Sequence, residues 1–245
     1  MIPDAALVLA AGKSTRIAAR AQGRPKPLLD FAGEPLIGWN LRWLATSGVA
    51  RAWVNLHHRF AEVMDAVGDG SRWQIPVTYS FEPEILGTAG AWRRLAAHWG
   101  ARSLVVYGDN VSRFSLAALA GAHAAAPAGT LATIALFDPA RHLNTGIAGG
   151  RVLCGADGRV AGFTEGGAGA DGLVNAGVYV LEHALLARLP DGFLDFGRDV
   201  FPALAAEGRL HGHVLEPGGF CLGLDTPESF AAGEALLHDH RLVLT

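Results

Sequence analysis

Short apolar runs of β character alternate along this chain with longer stretches of helical period, and that alternation limits the fold more than any other feature. Ala5–Ala10, Ala52–Leu56, Pro76–Tyr79, Leu104–Tyr107 and Leu131–Phe137 are short runs with the apolar character of buried strands. Between them Pro35–Ser47, Phe60–Val67, Ala89–Trp99 and Leu116–Ala125 carry apolar residues at helical spacing. Strands that alternate with helices pack best as a parallel sheet covered on both faces, because each crossover returns the chain to the same end. The expected class is therefore α/β, a Rossmann-like, three-layer, mostly parallel sheet. From Gly146 to Leu181 the texture changes. Glycine-punctuated strands at Ile147–Val152, Val160–Phe163 and Val174–Leu181 predict a small β-rich subdomain over one edge, with Gly166–Gly172 as a loop. Helices return at Gly197–Glu207 and Pro227–Asp239, with strands His211–Leu215 and Phe220–Leu224 between them.

The 245 residues suit a single domain with such a subdomain, and half are hydrophobic, ample for a core. The net charge is −3 and the cations form no cluster, which argues against a nucleic-acid partner. No apolar run approaches the ~20 residues of a membrane span. Asp4 precedes Ala5–Ala11 where a secretory leader carries positive charge, so a cytoplasmic protein without membrane contact is expected. Cys154 and Cys221 form no CxxC pair and read as reduced core thiols.

The first strand runs into "LVLAAGKSTRI", Leu7 to Ile17. A Walker loop, GxxxxGK[ST], would place its first glycine at residue 7, which is leucine. The dinucleotide fingerprint GxGxxG fails at Ser14 and Ile17. What remains is a small-residue turn, Ala10-Ala11-Gly12, followed by Lys13, Arg16 and Arg24-Pro25-Lys26-Pro27. Small residues let backbone N–H groups approach a ligand, and cations can face a polyphosphate. Of the 20 Lys and Arg residues only Lys13 and Lys26 are lysine, and both fall here. An ammonium is a compact point charge suited to phosphate, and Pro25 and Pro27 stiffen the backbone that carries Lys26.

"LAAGKSTR" followed by "RPKPLL" resembles the signature of the sugar-1-phosphate nucleotidylyltransferases, close to L-A-G-G-x-G-T-R and then P-K-P. Ser14 stands where that family commonly has glycine. The likeness to mannose- and heptose-1-phosphate guanylyltransferases, and to N-acetylmuramate-1-phosphate uridylyltransferases, runs from about Ala5 to Leu236. It continues through "GEPLIGWNLRWLATSGV", "EPEILGTAGA", "VVYGDN", "GRVAGFTE", "NAGVYVL", "DVFPALAAEGRLHGH" and "GFCLGLDTPESF". No left-handed β-helix repeat is expected after it.

The resemblance implies one nucleotidylyltransferase domain over residues 1–245, with a nucleotide-binding half to about 137 and a sugar- and metal-binding half from about 138. It implies attack of a sugar 1-phosphate on the α-phosphorus of a nucleoside triphosphate, with Mg²⁺ as cofactor and a homodimer as the usual assembly. Ala10, Ala11, Gly12, Lys13, Ser14 and Thr15 would form the phosphate loop. Arg16 would hold the β,γ-phosphates, and Lys26 would bridge the α-phosphate and the sugar phosphate. Asp109, ending the strand Leu104–Tyr107, would bind the metal, which favours one or two protein carboxylates with phosphate oxygens. The family's second metal aspartate is level with Gly223. Here "CLGLDTPE" exchanges glycine and aspartate, and Asp225 is the expected ligand, with helix capping as its alternative role.

Glu82, Gly87 and Thr88 would surround the base, with Thr88 also capping the next helix. A carboxylate accepts only, so Glu82 suits the two adjacent N–H donors of guanine and, less fully, the single donor of uracil. Asn110, Gly146, Glu165 and Asn175 would meet the sugar. The lysine common after the glutamate is Gly166 here. GTP with a mannose- or heptose-type sugar is the favoured pair, and UTP with a glucose- or muramic-type sugar the alternative. A cytidylyltransferase with a non-sugar acceptor and a degenerate nucleotide-sugar sensor are further rivals; a kinase is disfavoured by Leu7. The histidine pairs His57-His58 and His211/His213 read as edge residues, and Trp39, Trp43 and Trp92 as helix faces turned to the core.

Overall fold

The computed structural model describes residues 1–12, 15–146, 149–166 and 172–244. The strands are β1 (Ala5–Leu9), β2 (Asp30–Phe31), β3 (Glu34–Pro35), β4 (Arg51–Leu56), β5 (Val77–Phe81), β6 (Arg102–Tyr107), β7 (Asn110–Arg113) and β8 (Ala132–Phe137). They are followed by β9 (Arg151–Cys154), β10 (Val160–Thr164), β11 (Leu173–Glu182), β12 (Leu210–Val214) and β13 (Phe220–Gly223). The helices are α1 (Ala18–Ala21), α2 (Leu36–Thr46), α3 (Phe60–Val67), α4 (Gly87–Arg94), α5 (Leu116–Ala125), α6 (Phe201–Ala206) and α7 (Pro227–His238).

Nine strands form the main sheet, along the path β10-β9-β11-β6-β1-β4-β5, with β8 on β11 and β12 on β8. Among the described residues only β10 and β11 run against the common direction, so the sheet is mostly parallel. The expected Rossmann-like α/β class is therefore borne out.

Side chains alternate across a strand, and the central strands β1, β6, β8 and β11 each feed two cores. Ala6 and Val8 of β1 and Leu104 and Val106 of β6 pack with Ile37, Leu41, Val63 and Leu119 from α2, α3 and α5 on one face. Ala5, Leu7 and Val105 face the other way, onto Trp92, Tyr179, Phe196 and Phe201. A near-continuous apolar strand with helices on both sides is what a parallel sheet requires. A third cluster, Ile17, Phe31, Val111, Leu222, Leu224 and Phe230, lies beneath the β7–β13 ribbon and α7. Phe31 and Phe230 meet edge to face at 5.6 Å there.

Several elements differ from the sequence reading. The expected helix Ala89–Trp99 begins earlier and ends earlier, as α4, and a 3₁₀ turn covers Ala96–His98. Gly87 opens α4 at φ +75°, with the Leu194 carbonyl where a side chain would go, so only glycine fits. The expected helix Gly197–Glu207 is divided into a π turn, Phe196–Val200, and α6. The strand expected from Ile147 begins at Arg151; Ile147 and Ala148 lie outside the described residues, as does most of the Gly166–Gly172 loop. The β9–β10 hairpin joins the main sheet through β11. The ribbon of β7 with β13, pairing Asn110 with Gly223, was not anticipated because the polar NVSR run carries no apolar alternation. Trp43 and Trp92 are buried as expected, and both cysteines are free, burial pushing the Cys221 thiol up to about 12.

Register along β11 shifts between Asn175 and Tyr179, and Gly177 sits in that irregularity at φ +71°. A Cβ on Gly177 would stand 3.0 Å from the Tyr107 ring and 3.2 Å from the Asn110 amide. Gly177→Ala is expected to cost about 1–3 kcal/mol, from the left-handed backbone and the tight contact together. Thermal unfolding would show it as a Tm several degrees lower.

Candidate active site

Strands β1, β4, β5 and β6 are parallel, so their carboxyl ends open on one side of the sheet, where open α/β folds bind ligands. Ala10, Ala11 and Gly12 follow β1, Asn55 is the penultimate residue of β4, Glu82 follows β5 and Asp109 follows β6. All but Ala10 line one cavity of about 190 Å³, together with Gly87, Thr88, Tyr107, Phe193 and Asp195. Of the expected phosphate loop, Lys13 and Ser14 lie outside the described residues, and Thr15 opens a 3₁₀ turn that includes Arg16.

Lys26 sits in a 3₁₀ turn framed by Pro25 and Pro27, with only 6% of its side chain exposed. A buried ammonium is stable only when paired. Its Nζ donates to Asp109 Oδ2 at 2.8 Å and also to Asp225 Oδ1. Arg16, largely exposed, lies 3.2 Å from the other oxygen of Asp225. Asp225 therefore reaches the same point as Asp109 despite the exchange with Gly223. Strand β13 ends at Gly223, and two further residues carry the chain back over Lys26. Helix capping, the alternative role, belongs to Thr226: its hydroxyl accepts from Ser229 N, and the Ser229 hydroxyl accepts from Thr226 N.

Two carboxylates on one ammonium are each a hydrogen-bond length from a common cation position. That is the hard, oxygen-only donor set of a divalent ion that fills its remaining sites with water and phosphate oxygens. Among the described residues no third acidic, histidine or cysteine side chain joins a metal cluster.

Glu82 is placed as expected in sequence, but its carboxylate is turned inward and the residue is 1% exposed. Oε1 accepts from Asn55 Nδ2 at 2.8 Å and Oε2 from Leu86 N at 2.9 Å. Its backbone carbonyl accepts from His57 Nδ1 at 2.8 Å. Thr88 is not the cap of α4. It is the second residue of that helix; its hydroxyl donates to Asp195 Oδ2 and accepts from Phe196 N, each at 2.8 Å, tying α4 to the π turn.

Beside Thr88 on the cavity wall, Asp195 Oδ1 accepts from Gly197 N and Arg198 N. Glu165 is exposed as a residue but its carboxyl end turns in beside Gly197; a Cβ there would overlap Glu165 Oε2 and stand 3.5 Å from Asp195 Oδ1. Partial burial of that carboxyl, and then the Asp195 charge, raise its pKa. Asn175 is buried, with Nδ2 donating to the Tyr179 hydroxyl at 2.8 Å and Oδ1 accepting from Gly177 N. Tyr179 meets Tyr107, on the cavity wall, edge to face at 5.8 Å. Burial holds both phenols well above their ordinary range, so they stay neutral. Asn110 is buried at the start of β7, and its carbonyl accepts from Asn40. Gly146 is exposed, at φ +76°, with its N–H on Asn144 Oδ1.

Asn55, Asp195 and Tyr107 escaped the sequence reading. Asn55 carried a signal, a lone amide at the end of the apolar run "AWVNL". In the sequence Tyr107 reads only as the end of a strand. Asp195 gave no signal apart from its place before a helix.

Because Glu165 has a raised pKa when folded, its contribution to stability is full below about 4.5, the ordinary carboxyl value, and is lost as pH rises through the folded value. Asp195→Asn should move the Glu165 carboxyl titration, followed by NMR, back towards 4.5, with the wild type titrating above it.

Comparison with known proteins agrees with this geometry. The Nucleotidyl transferase family profile matches residues 5–231. Mannose-1-phosphate guanylyltransferase of Mycobacterium tuberculosis is 31% identical over 236 residues, 94% of this chain and 63% of that protein. N-acetylmuramate alpha-1-phosphate uridylyltransferase of Neisseria meningitidis is 41% identical over 106 residues, 42% of this chain and 46% of that protein. The chain thus spans less than two thirds of the length of these relatives. The crystal structure of HddC from Yersinia pseudotuberculosis superposes with a TM-score of 0.77 at 22% identity, covering 96% of this chain and all of that one, a likeness of fold. With a profile match over most of its length and a parallel sheet that gathers Lys26, Asp109 and Asp225 at one end, the chain belongs to the nucleotidyl transferase family.

Proposed function

We propose that this chain transfers a nucleotidyl group from a nucleoside triphosphate to a sugar 1-phosphate, releasing pyrophosphate. One observation carries the reading: the buried Lys26 ammonium held between Asp109 and Asp225 at the carboxyl ends of the parallel strands. A phosphate monoester is already an anion, so its oxygen needs no general base to attack the α-phosphorus. The new P–O bond forms as the bond to the β-phosphate breaks, and pyrophosphate leaves with the electron pair. The protein then has to position the reactants and neutralise charge.

Lys26 is suited to bridge the α-phosphate and the sugar phosphate, and the exposed Arg16 to hold the leaving phosphates. Ala11 and Gly12 line the cavity that Asp109 borders. Asp109 and Asp225 would hold Mg²⁺, which when bound offsets charge building on the phosphate oxygens. In this division residues to about 137 serve the nucleotide and later residues serve the sugar, and the two parts share the metal through Asp109 and Asp225. The reaction is proposed for the cytoplasm, where nucleoside triphosphates are made.

GTP with a mannose- or heptose-type sugar is the preferred pair, because the guanylyltransferase likeness extends over 94% of the chain. UTP with a muramic- or glucose-type sugar is the second reading, favoured by the higher identity of the shorter uridylyltransferase match.

Pyrophosphate release with Mg²⁺ tests this across GTP, UTP, CTP, ATP and dTTP, each paired with mannose, glucose, heptose and N-acetylmuramate 1-phosphates. Turnover with one GTP or UTP pair, abolished by EDTA, is expected. Asp109→Asn and Asp225→Asn should each lower kcat/KM by about 10²-fold or more. Turnover only with CTP and a non-sugar acceptor, or nucleotide-sugar binding without turnover, would overturn the reading.

A further inference from the structure

Between the Ala10–Gly12 turn and the 82–86 loop lies a chain of hydrogen bonds in which each side-chain polar atom has a protein partner. Ala10 N donates to Asn55 Oδ1 at 2.7 Å, Asn55 Nδ2 donates to Glu82 Oε1 at 2.8 Å, and Glu82 Oε2 accepts from Leu86 N at 2.9 Å. Asn55 is 4% exposed and Glu82 1%. The loop is held from its other end as well, since Glu82 N donates to Leu56 O and Leu194 N donates to Leu86 O.

A carboxylate that reads a base edge must offer its lone pairs to the cavity. This one spends an oxygen on each of two protein donors, and it is almost entirely covered. An amide has a donor end and an acceptor end, and at position 55 both are used in one sense: acceptor to the phosphate turn, donor to Glu82.

We propose that Asn55 and Glu82 act together as a positioning strut that fixes the Ala10–Gly12 turn relative to the 82–86 loop, so that the Glu82 carboxylate acts on the nucleotide through this geometry and not by reading the base edge. The inference rests on the nucleotide reading given above. It makes both residues positioning residues, and it makes nucleotide affinity depend on the polarity of a buried pair.

That polarity can be reversed without losing a hydrogen bond. In Asn55→Asp two buried carboxylates oppose one another; in Glu82→Gln one amide N–H faces another donor. In the double variant Asn55→Asp/Glu82→Gln, the aspartate accepts from Ala10 N and from the glutamine amide, whose oxygen accepts from Leu86 N. Overall charge is unchanged.

Binding of GTP and of UTP to the full chain, measured by calorimetry without sugar, is the test, with thermal unfolding recorded alongside. Each single variant should weaken binding of the preferred nucleotide about tenfold or more. The double variant should return to within about threefold of wild type and keep its ratio of GTP to UTP affinity. If either single variant does not fold, the double variant alone still decides, because its affinity and ratio are compared with wild type directly. A double variant that folds but stays weak, or that loses the ratio, would overturn the strut in favour of direct reading by the Glu82 carboxylate. Single variants that bind as wild type does would overturn it too. A wild-type chain that binds neither nucleotide would instead defeat the nucleotide reading on which the strut depends.

Discussion

A buried ammonium that needs counter-charges is the constraint on which the rest of this site depends. Lys26 is held away from water between two prolines, and an isolated charge there would be strongly unfavourable. Its partners come from widely separated stretches of sequence, Asp109 beyond β6 and Asp225 beyond β13. The ion cluster therefore links the first strands of the sheet to the final ribbon and helix. It also leaves two carboxylates directed at a position where a cation is already required, so exchanging the ammonium's contacts for a divalent ion and phosphates retains the sign of the local field.

The architecture explains why these groups meet. Parallel strands bring successive carboxyl ends to one side, and every strand-to-helix turn there can contribute a residue without disturbing the two cores. The Ala10–Gly12 turn, Asn55, Glu82 and Asp109 are four such contributions from four strands. The third apolar cluster has a different task. Leu222, Leu224 and Phe230 anchor the backbone on either side of Asp225, and the Thr226–Ser229 capping box starts α7 directly after it. A carboxylate between a packed strand end and a capped helix has little freedom to leave Lys26.

The strand–helix alternation made the sheet legible in the sequence, because period-2 and period-3.6 patterns are local. Arg16, Lys26, Asp109 and Asp225 were legible through a resemblance, and the structure brings them together. What escaped detection depends on contacts distant in sequence. The β7–β13 ribbon pairs residues about a hundred positions apart through a polar run with no pattern of its own. Thr88 looked like a helix cap because a threonine near a helix start normally is one, yet its partner is Asp195. Glu82 reads as a base contact because carboxylates accept from bases; that Asn55, from another strand, holds one of its oxygens is a tertiary fact.

Asp109 and Asp195 share the cavity wall but differ in how their charge is met. Asp109, like Asp225, is paired with the Lys26 ammonium and Arg16 lies against Asp225, whereas among the described residues no Lys or Arg forms an ion pair with Asp195 or the nearby Glu165. The sequence has no lysine beside Glu165 to soften that contrast, because position 166 is glycine. Gly197 sharpens it, since any side chain there would displace the Glu165 carboxyl. For the proposed reaction this asymmetry has a direct use. A sugar 1-phosphate is anionic at one end and a ring of neutral hydroxyl donors at the other. Reversed, it would set its phosphate against two carboxylates in a partly desolvated cleft, where like charges repel far more than in water. Only one orientation brings the phosphate to Lys26, and in that orientation Glu165 and Asp195 are left as acceptors for sugar hydroxyls. The geometry that satisfies a buried lysine thus also determines which way round the acceptor enters.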